Sequence, residues 1–249
     1  MPPKSTCPRS PSCKCWTGLT QPANPKREHP RDITINDLIL HTSGLCYEFF
    51  SHDDLKYRTA MGIPTVVSST FASTRTVLLH DPGAAWTYGV NIDWLGRIVE
   101  QQRGKRLGEV MKERIFTPLG MQDIAFTMTD AMKSRRAHLH DRAQGGKLTP
   151  LPDLVLPQPP EMDMGGHGLY ATVGEYMKFI RMFLNDGAGP NGRVLKAETV
   201  AAMCQNGLPA GVMSGGCARP SHPCPTLVSL TRASRKPGRT LFSAPRKTQ

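Results

Sequence analysis

His80-Asp81-Pro82-Gly83-Ala84-Ala85-Trp86-Thr87-Tyr88-Gly89-Val90-Asn91, together with the segment Ile92 to Glu100 that it feeds, is the stretch from which the fold is read. Pro82 presets φ for the second position of a turn, and Gly83 tolerates the positive φ that a type II turn needs at the third. Trp86 and Tyr88 lie two residues apart on a short extended piece, so their side chains leave from the same side. Ile92, Leu95, Ile98 and Val99 then recur at helical spacing and predict an anchored apolar face. A phenol held between a rigid turn and a packed helix is a positioned proton carrier. A core tyrosine hydrogen-bonded to backbone is the alternative that the same residues leave open.

Outside this stretch, charge divides the chain into three parts. The net charge of +11 suggests a nucleic-acid partner until its distribution is examined. Residues 1–27 hold five Lys and Arg and residues 199–249 hold seven, with no acid in either segment, leaving 19 basic against 20 acidic residues between them. The middle is electrically ordinary, and the ends lack interleaved aromatics and any reader motif, so no specific nucleic-acid partner is expected. Cysteines follow the same partition: only Cys46 is central. Cys217, His222 and Cys224 match no zinc-finger or ribbon spacing, and no metal or cofactor is expected. No run of about 18 apolar residues predicts a membrane span, and the opening residues lack the apolar stretch of a secretory signal, which gives an expectation of a cytoplasmic protein.

Residues 1–30 are proline-rich without apolar periodicity and are expected to be disordered, as is a basic segment from 214 to 249. Between them, 31–213 reads as one domain. Thr34 with Asp37 forms a capping-box pattern ahead of a short helix, with Gly44 as its stop. A second helix is predicted after Ser51 and before Gly62, and a third from about Val66. Leu107, Val110, Met111 and Ile115 restart the helical pattern after Gly104, and Pro118 ends it. Gly145-Gly146 predicts a hairpin between short strands. Gly165, Gly166 and Gly168 form a turn before a helix capped by Thr172 and Glu175, with Tyr176, Ile180, Phe183 and Leu184 as its apolar face. A final helix is expected near Ala197 to Gln205.

Several of these motifs, taken in order, resemble one family. They are Ile33-Thr34-Ile35-x-Asp37-Leu38-Ile39-x-His41-Thr42-Ser43-Gly44-Leu45, Pro82-Gly83-x-x-Trp86-x-Tyr88, Asp93-x-Leu95-Gly96-x-Ile98-Val99-Glu100, Pro118-Leu119-Gly120-Met121, and Gly165-Gly166-x-Gly168-Leu169 to Tyr176. The chain is similar to the serine β-lactamase-like hydrolases: class C type β-lactamases, family VIII esterases, D-amino-acid peptidases and transesterases. The resemblance implies acyl transfer to or from a small-molecule ester or amide through a covalent serine ester. A Ser-x-x-Lys pair on one helical turn supplies nucleophile and base, and a tyrosine completes the proton path. That tyrosine is Tyr88 here, with Trp86, Gly166 and Gly168 as substrate-binding candidates. A free phenol, with a pKa of about 10, needs nearby cations to act as a base at neutral pH.

Two departures shape the expectation. The Tyr-x-Asn of the β-lactamases is absent: the third residue is Val90, and Asn91 comes one place late, a pattern more like the esterases and transesterases. No lysine of the chain has a serine three residues before it, so there is no Ser-x-x-Lys. Lys236-Pro237-Gly238 imitates only poorly the late Lys-Thr-Gly strand. The expected fold is therefore α+β and predominantly helical, a partial β-lactamase/DD-peptidase-like fold lacking much of its main sheet, truncated at both ends and inactive by itself. The alternative function is a non-catalytic remnant or binding module that retains the helical domain. No spacing supports a Ser-His-Asp triad from Ser43, His41 or His167 and Asp81, and there is no G-x-S-x-G elbow; His41 is expected to order its loop by hydrogen bonding.

Overall fold

The Asp81–Ala84 turn closes with the Ala84 amide donating to the Asp81 carbonyl at 3.0 Å, and Gly83 adopts φ +87°, the left-handed value that the third position of a type II turn requires. The computed structural model describes residues 30–143 and 145–214; the expected disorder of 1–30 and 214–249, the Cys217/His222/Cys224 grouping and Lys236-Pro237-Gly238 lie outside them, save for single residues at the borders. Helices dominate what is described. They are α1 (Ile35–Ile39), α2 (His52–Met61), α3 (Asn91–Arg103), α4 (Leu107–Met111), α5 (Asp130–Ser134), α6 (Val173–Leu184) and α7 (Ala197–Met203).

Three antiparallel two-stranded ladders join them. Strand β1 (Ile124–Ala125) pairs with β4 (Tyr170–Ala171), with Ile124 opposite Ala171. Strands β2 (Leu139–Arg142) and β3 (Leu148–Leu151) form the hairpin expected around Gly145-Gly146. Strands β5 (Ala188–Gly189) and β6 (Gly192–Arg193) flank the turn at Pro190-Asn191.

Local signals account for most helix boundaries. At α1, the Thr34 side chain accepts from the Asp37 amide and the Asp37 carboxylate accepts from the Thr34 amide, a complete capping box. Ser51 caps α2 and left-handed Gly62 ends it; left-handed Gly104 ends α3. Other expectations are corrected. Helix α1 stops at Leu40, well before Gly44, because His41 itself takes φ +56°. The helix expected from Val66 is two 3₁₀ turns, Val66–Ser68 and Ala72–Thr74. The capping box of α6 is half formed: Thr172 accepts from the Glu175 amide, but the Glu175 carboxylate turns to the Gln122 amide and Lys178.

Two apolar clusters hold the elements together. One joins Leu38, Leu45, Tyr47, Val66, Leu78, Val90, Met162 and Met164, with Trp94, Leu95 and Ile98 of α3 packed on it. The other joins Phe116, Leu119, Met121 and Met182, with Ile115, Phe179 and Phe183 against it. The face of α3 differs from its periodicity. Ile92, Leu95, Ile98 and Val99 are half-buried, whereas the fully buried positions are Asn91, Asp93 and Gly96. On α6 the expected apolar face is divided: Phe183 is half-buried, while Tyr176, Ile180 and Leu184 are exposed.

Asp37 anchors the start of this body. Its carboxylate accepts both Arg31 guanidinium nitrogens, at 2.7 and 2.9 Å, and the Thr34 amide at 2.9 Å. Burial pushes the carboxyl up, but the hydrogen bonds from Arg31 and Thr34 outweigh it and hold it down at about 2, against an ordinary 3.8. A folded value below the unfolded one contributes stability that is complete above the unfolded value and is lost as pH falls through the folded one. The denaturation midpoint of the wild-type chain is therefore expected to drop between about pH 5 and about pH 2, and Asp37→Asn should show a visibly smaller drop over that window. An unchanged pH profile in the variant would remove Asp37 as its source.

Candidate active site

Tyr88 emerges from the extended piece between the turn and α3, held by backbone bonds to the His41–Gly44 segment. The Gly83 amide donates to the Thr42 carbonyl at 2.7 Å, the Thr87 amide to the His41 carbonyl at 2.9 Å and the Leu79 amide to the Gly44 carbonyl at 2.9 Å. Gly89 makes this approach feasible, since a Cβ there would lie 2.4 Å from both the Leu45 carbonyl oxygen and the Cys46 Cα. The motif His41-Thr42-Ser43-Gly44 is thus a backbone partner of the turn rather than a source of nucleophiles. Ser43 is fully buried, and its hydroxyl donates to the Asn91 amide oxygen in a short bond.

With Asn91 so oriented, its amide nitrogen donates to Nδ1 of His41 at 3.0 Å, which leaves the imidazole proton on Nε2. Burial pushes the His41 imidazole down, against the pull of Asp93, and so favours the neutral ring that this acceptor role needs. His41 also lies against the phenol: its ring centroid is 4.8 Å from that of Tyr88. The loop-ordering role expected of His41 is present, carried by its backbone carbonyl and its ring.

Around Tyr88 the rings form one continuous cluster. Trp86 stacks with Tyr88 at 6.2 Å and an interplanar angle of 17°, as their shared side of the extended piece requires. Tyr47 meets Tyr88 edge-on at 5.4 Å, and Phe50 does so at 5.8 Å. Phe49 stacks on Tyr47 at 5.0 Å. Tyr88 remains 40% exposed, which excludes the buried-tyrosine alternative. Its hydroxyl makes no hydrogen bond to a described residue, so the phenol is held by ring contacts with its oxygen available.

Beneath the cluster lies Asp93, fully buried on the first turn of α3. Its two oxygens accept the Tyr47 hydroxyl at 3.0 Å and the Gly166 amide at 2.8 Å. Burial in this place, with the Asp93 carboxylate accepting from the hydroxyl, raises the Tyr47 phenol far above its ordinary value, so Tyr47 stays neutral and donates. His167 stands beside the same carboxylate at 3.9 Å and is pushed down by burial.

The sequence-derived candidates do not all converge. Trp86 is brought against Tyr88. Gly166 reaches the cluster from below: a Cβ there would lie 2.5 Å from the Tyr47 hydroxyl oxygen and 3.1 Å from both Asp93 oxygens. Gly168, at φ +91°, faces Phe126 and Leu156 instead, which makes it a turn residue. Asp93, Asn91 and Tyr47 were not among the expected site residues. The available signal was an Asn and an Asp in the first turn of a helix whose other periodic positions are apolar; Tyr47 carried none beyond its place after His41-Thr42-Ser43-Gly44.

Comparison with known proteins bears on the same region. The sequence model of the β-lactamase family matches residues 11–226. The chain belongs to the β-lactamase family. Among its relatives within or close to this family, monacolin J acid methylbutanoyltransferase of Aspergillus terreus is 32% identical over 187 residues, 73% of this chain and 44% of that protein. Lovastatin esterase of Penicillium rubens is 32% identical over 206 residues, 77% of this chain and 49% of the esterase. Among solved structures, a mutant of the simvastatin synthase LovD from Aspergillus terreus superposes with a TM-score of 0.68 at 33% identity, covering 80% of this chain and 48% of that one. The chain spans about half the length of the curated relatives it matches. This β-lactamase-family domain is mostly helical, and none of its described helices is long and apolar enough to cross a membrane.

Asp93→Ala is expected to cost about 2–5 kcal/mol, because it strands the buried Tyr47 hydroxyl and the Gly166 amide together. Denaturant unfolding of the variant measures it; a change below about 0.5 kcal/mol would mean that the carboxylate does not organise this site.

Proposed function

We propose that the Tyr88 cluster is the tyrosine side of an acyl-transfer site of the esterase and transesterase type, acting on a small-molecule ester or amide. The observation that carries this reading is the phenol itself: Tyr88 is fixed by stacking on Trp86 and contact with His41, is partly exposed, and has an uncommitted hydroxyl within a β-lactamase-family domain. In this role Tyr88 passes a proton between the attacking or leaving oxygen and a base, as the family's tyrosine does. Trp86 offers an apolar face beside it, and Gly166 sets how closely the 164–168 turn approaches.

The side chain of Asn91 supports the esterase and transesterase branch over the β-lactamases. It is spent inside the protein on Ser43 and His41, and no amide stands at position 90, where Val90 is fully buried. The relatives named as a methylbutanoyltransferase and a lovastatin esterase point the same way, to an acyl ester of a small organic alcohol as substrate class. Residues 31–213 form the domain in this reading. Its described strands make only three two-stranded ladders, which supports a helical part of the fold without its principal sheet.

A second reading is favoured by one sequence fact: the 249 residues contain no Ser-x-x-Lys. Without that pair the proton path through Tyr88 has neither nucleophile nor base, and the chain by itself acts as a non-catalytic or binding domain. A fluorophosphonate probe followed by mass spectrometry separates the readings. No labelled serine is expected in this polypeptide, and a stoichiometrically labelled one would establish an unrecognised nucleophile. Correspondingly, Tyr88→Phe is expected to leave any background hydrolysis of p-nitrophenyl butyrate unchanged. A drop of tenfold or more would place Tyr88 in a working site.

A further inference from the structure

A second cavity shares no residue with the Tyr88 cluster. It lies between the end of α2, the 62–64 turn, the 3₁₀ segment at 72–74 and the Trp94 face of α3, and encloses about 310 Å³, within the range that small-ligand sites occupy. Met61, Ile63, Pro64, Ala72 and Trp94 give it apolar walls. Three of its polar groups are already committed within the protein. The Trp94 indole donates to the Thr74 carbonyl at 3.2 Å, the Thr74 hydroxyl donates to the Phe71 carbonyl at 2.9 Å, and the Thr76 hydroxyl donates to Asp54. These walls offer a guest contact rather than competition for hydrogen bonds.

Arg75 is the exception and the one charged residue of the lining. It is exposed, its guanidinium sits 4.7 Å over the Phe71 ring, and it has no carboxylate partner among the described residues. Arg97, over the same ring at 4.9 Å, is by contrast paired with Glu100 at 2.6 Å. Apolar walls with satisfied polar groups and one unpaired guanidinium select a particular ligand chemistry: an aliphatic tail for the cavity and a planar anion for the fork of Arg75.

We propose that this cavity binds a monocarboxylic acid with a short to medium aliphatic chain, its tail against Trp94 and Ala72 and its carboxylate on Arg75. The site is independent of the acyl-transfer reading, since it involves neither Tyr88 nor a nucleophile. The test is a titration of the 249-residue chain with octanoate, followed through the tryptophan indole ¹⁵N–¹H resonances assigned by Trp94→Phe. A saturable shift of the Trp94 resonance is expected, with that of Trp86 unmoved. Arg75→Gln should weaken octanoate by about five- to tenfold and leave uncharged 1-octanol unaffected, whereas Arg75→Lys should keep most of the octanoate affinity. Ala72→Phe should abolish binding of both compounds by filling the cavity. No saturable shift of Trp94, equal octanoate affinity in the wild type and Arg75→Gln, or undiminished binding in Ala72→Phe would each overturn the proposal.

Discussion

The site depends on the buried carboxylate of Asp93. Taking a carboxylate out of water is costly unless its lone pairs are filled, and here one oxygen is filled by a side chain from the segment after α1 and the other by a backbone amide from the turn ahead of α6. Three segments far apart in sequence are thus tied at one point. The tie is directional as well as strong. A hydroxyl and an amide 3.0 and 2.8 Å from the two oxygens fix the ring plane of Tyr47 and the depth of Gly166 together. Tyr88 inherits that order through ring contact alone, which leaves its own oxygen unspent.

A second polar unit serves a different end. Ser43, Asn91 and His41 form a chain of donors ending on a neutral imidazole, and all three are consumed by one another. The arrangement explains why a histidine and a serine so near a candidate active site do not make a nucleophile. A fully buried hydroxyl that donates to an amide oxygen cannot meet a substrate, and an imidazole whose Nδ1 accepts from an amide is a spacer between backbone and phenol. The two units sit on the first turn of α3, at Asn91 and Asp93, so one helix terminus sets both. Trp94, the next position along, points elsewhere and closes the second cavity through Phe71 and the Thr74 carbonyl.

Much of this was legible where the signal is local. The Asp-Pro-Gly turn, the capping box at Thr34, Gly62 after α2, the Gly145-Gly146 hairpin and the shared side of Trp86 and Tyr88 each depend on a few adjacent residues, and each stands as read. The errors have a common cause in tertiary contacts. The period of α3 identifies Ile92, Leu95, Ile98 and Val99 as its apolar stripe, but no periodicity shows that Asn91 and Asp93 are buried deeper, because their partners are 46 to 75 residues away in sequence. Gly168 was grouped with Gly166 by adjacency, yet a glycine two places on faces the opposite side. The 3₁₀ turns at Val66 and Ala72 replaced an expected helix in a stretch rich in Ser, Thr and β-branched residues, whose hydroxyls bond to nearby backbone instead: Ser73 to the Thr70 carbonyl and Thr74 to the Phe71 carbonyl.

Helix α6 shows how the second cluster is coupled to the first. Its Met182 is buried and Phe179 and Phe183 pack inward, but Val173 is 82% exposed and Leu184 79% exposed, with Tyr176 and Ile180 between them. Leaving such side chains wet forfeits about 1.5–3 kcal/mol for each that could otherwise be fully buried, so α6 is held from one side only. The Thr172 cap and the short pairing of β4 with β1 connect α6 to the glycine turn that carries Gly166. Stability gained on α6 is therefore transmitted along a few residues to the amide that fills Asp93, and from there to Tyr47 and the ring of Tyr88. The phenol is as well placed as the helix four residues beyond its supporting turn is well held.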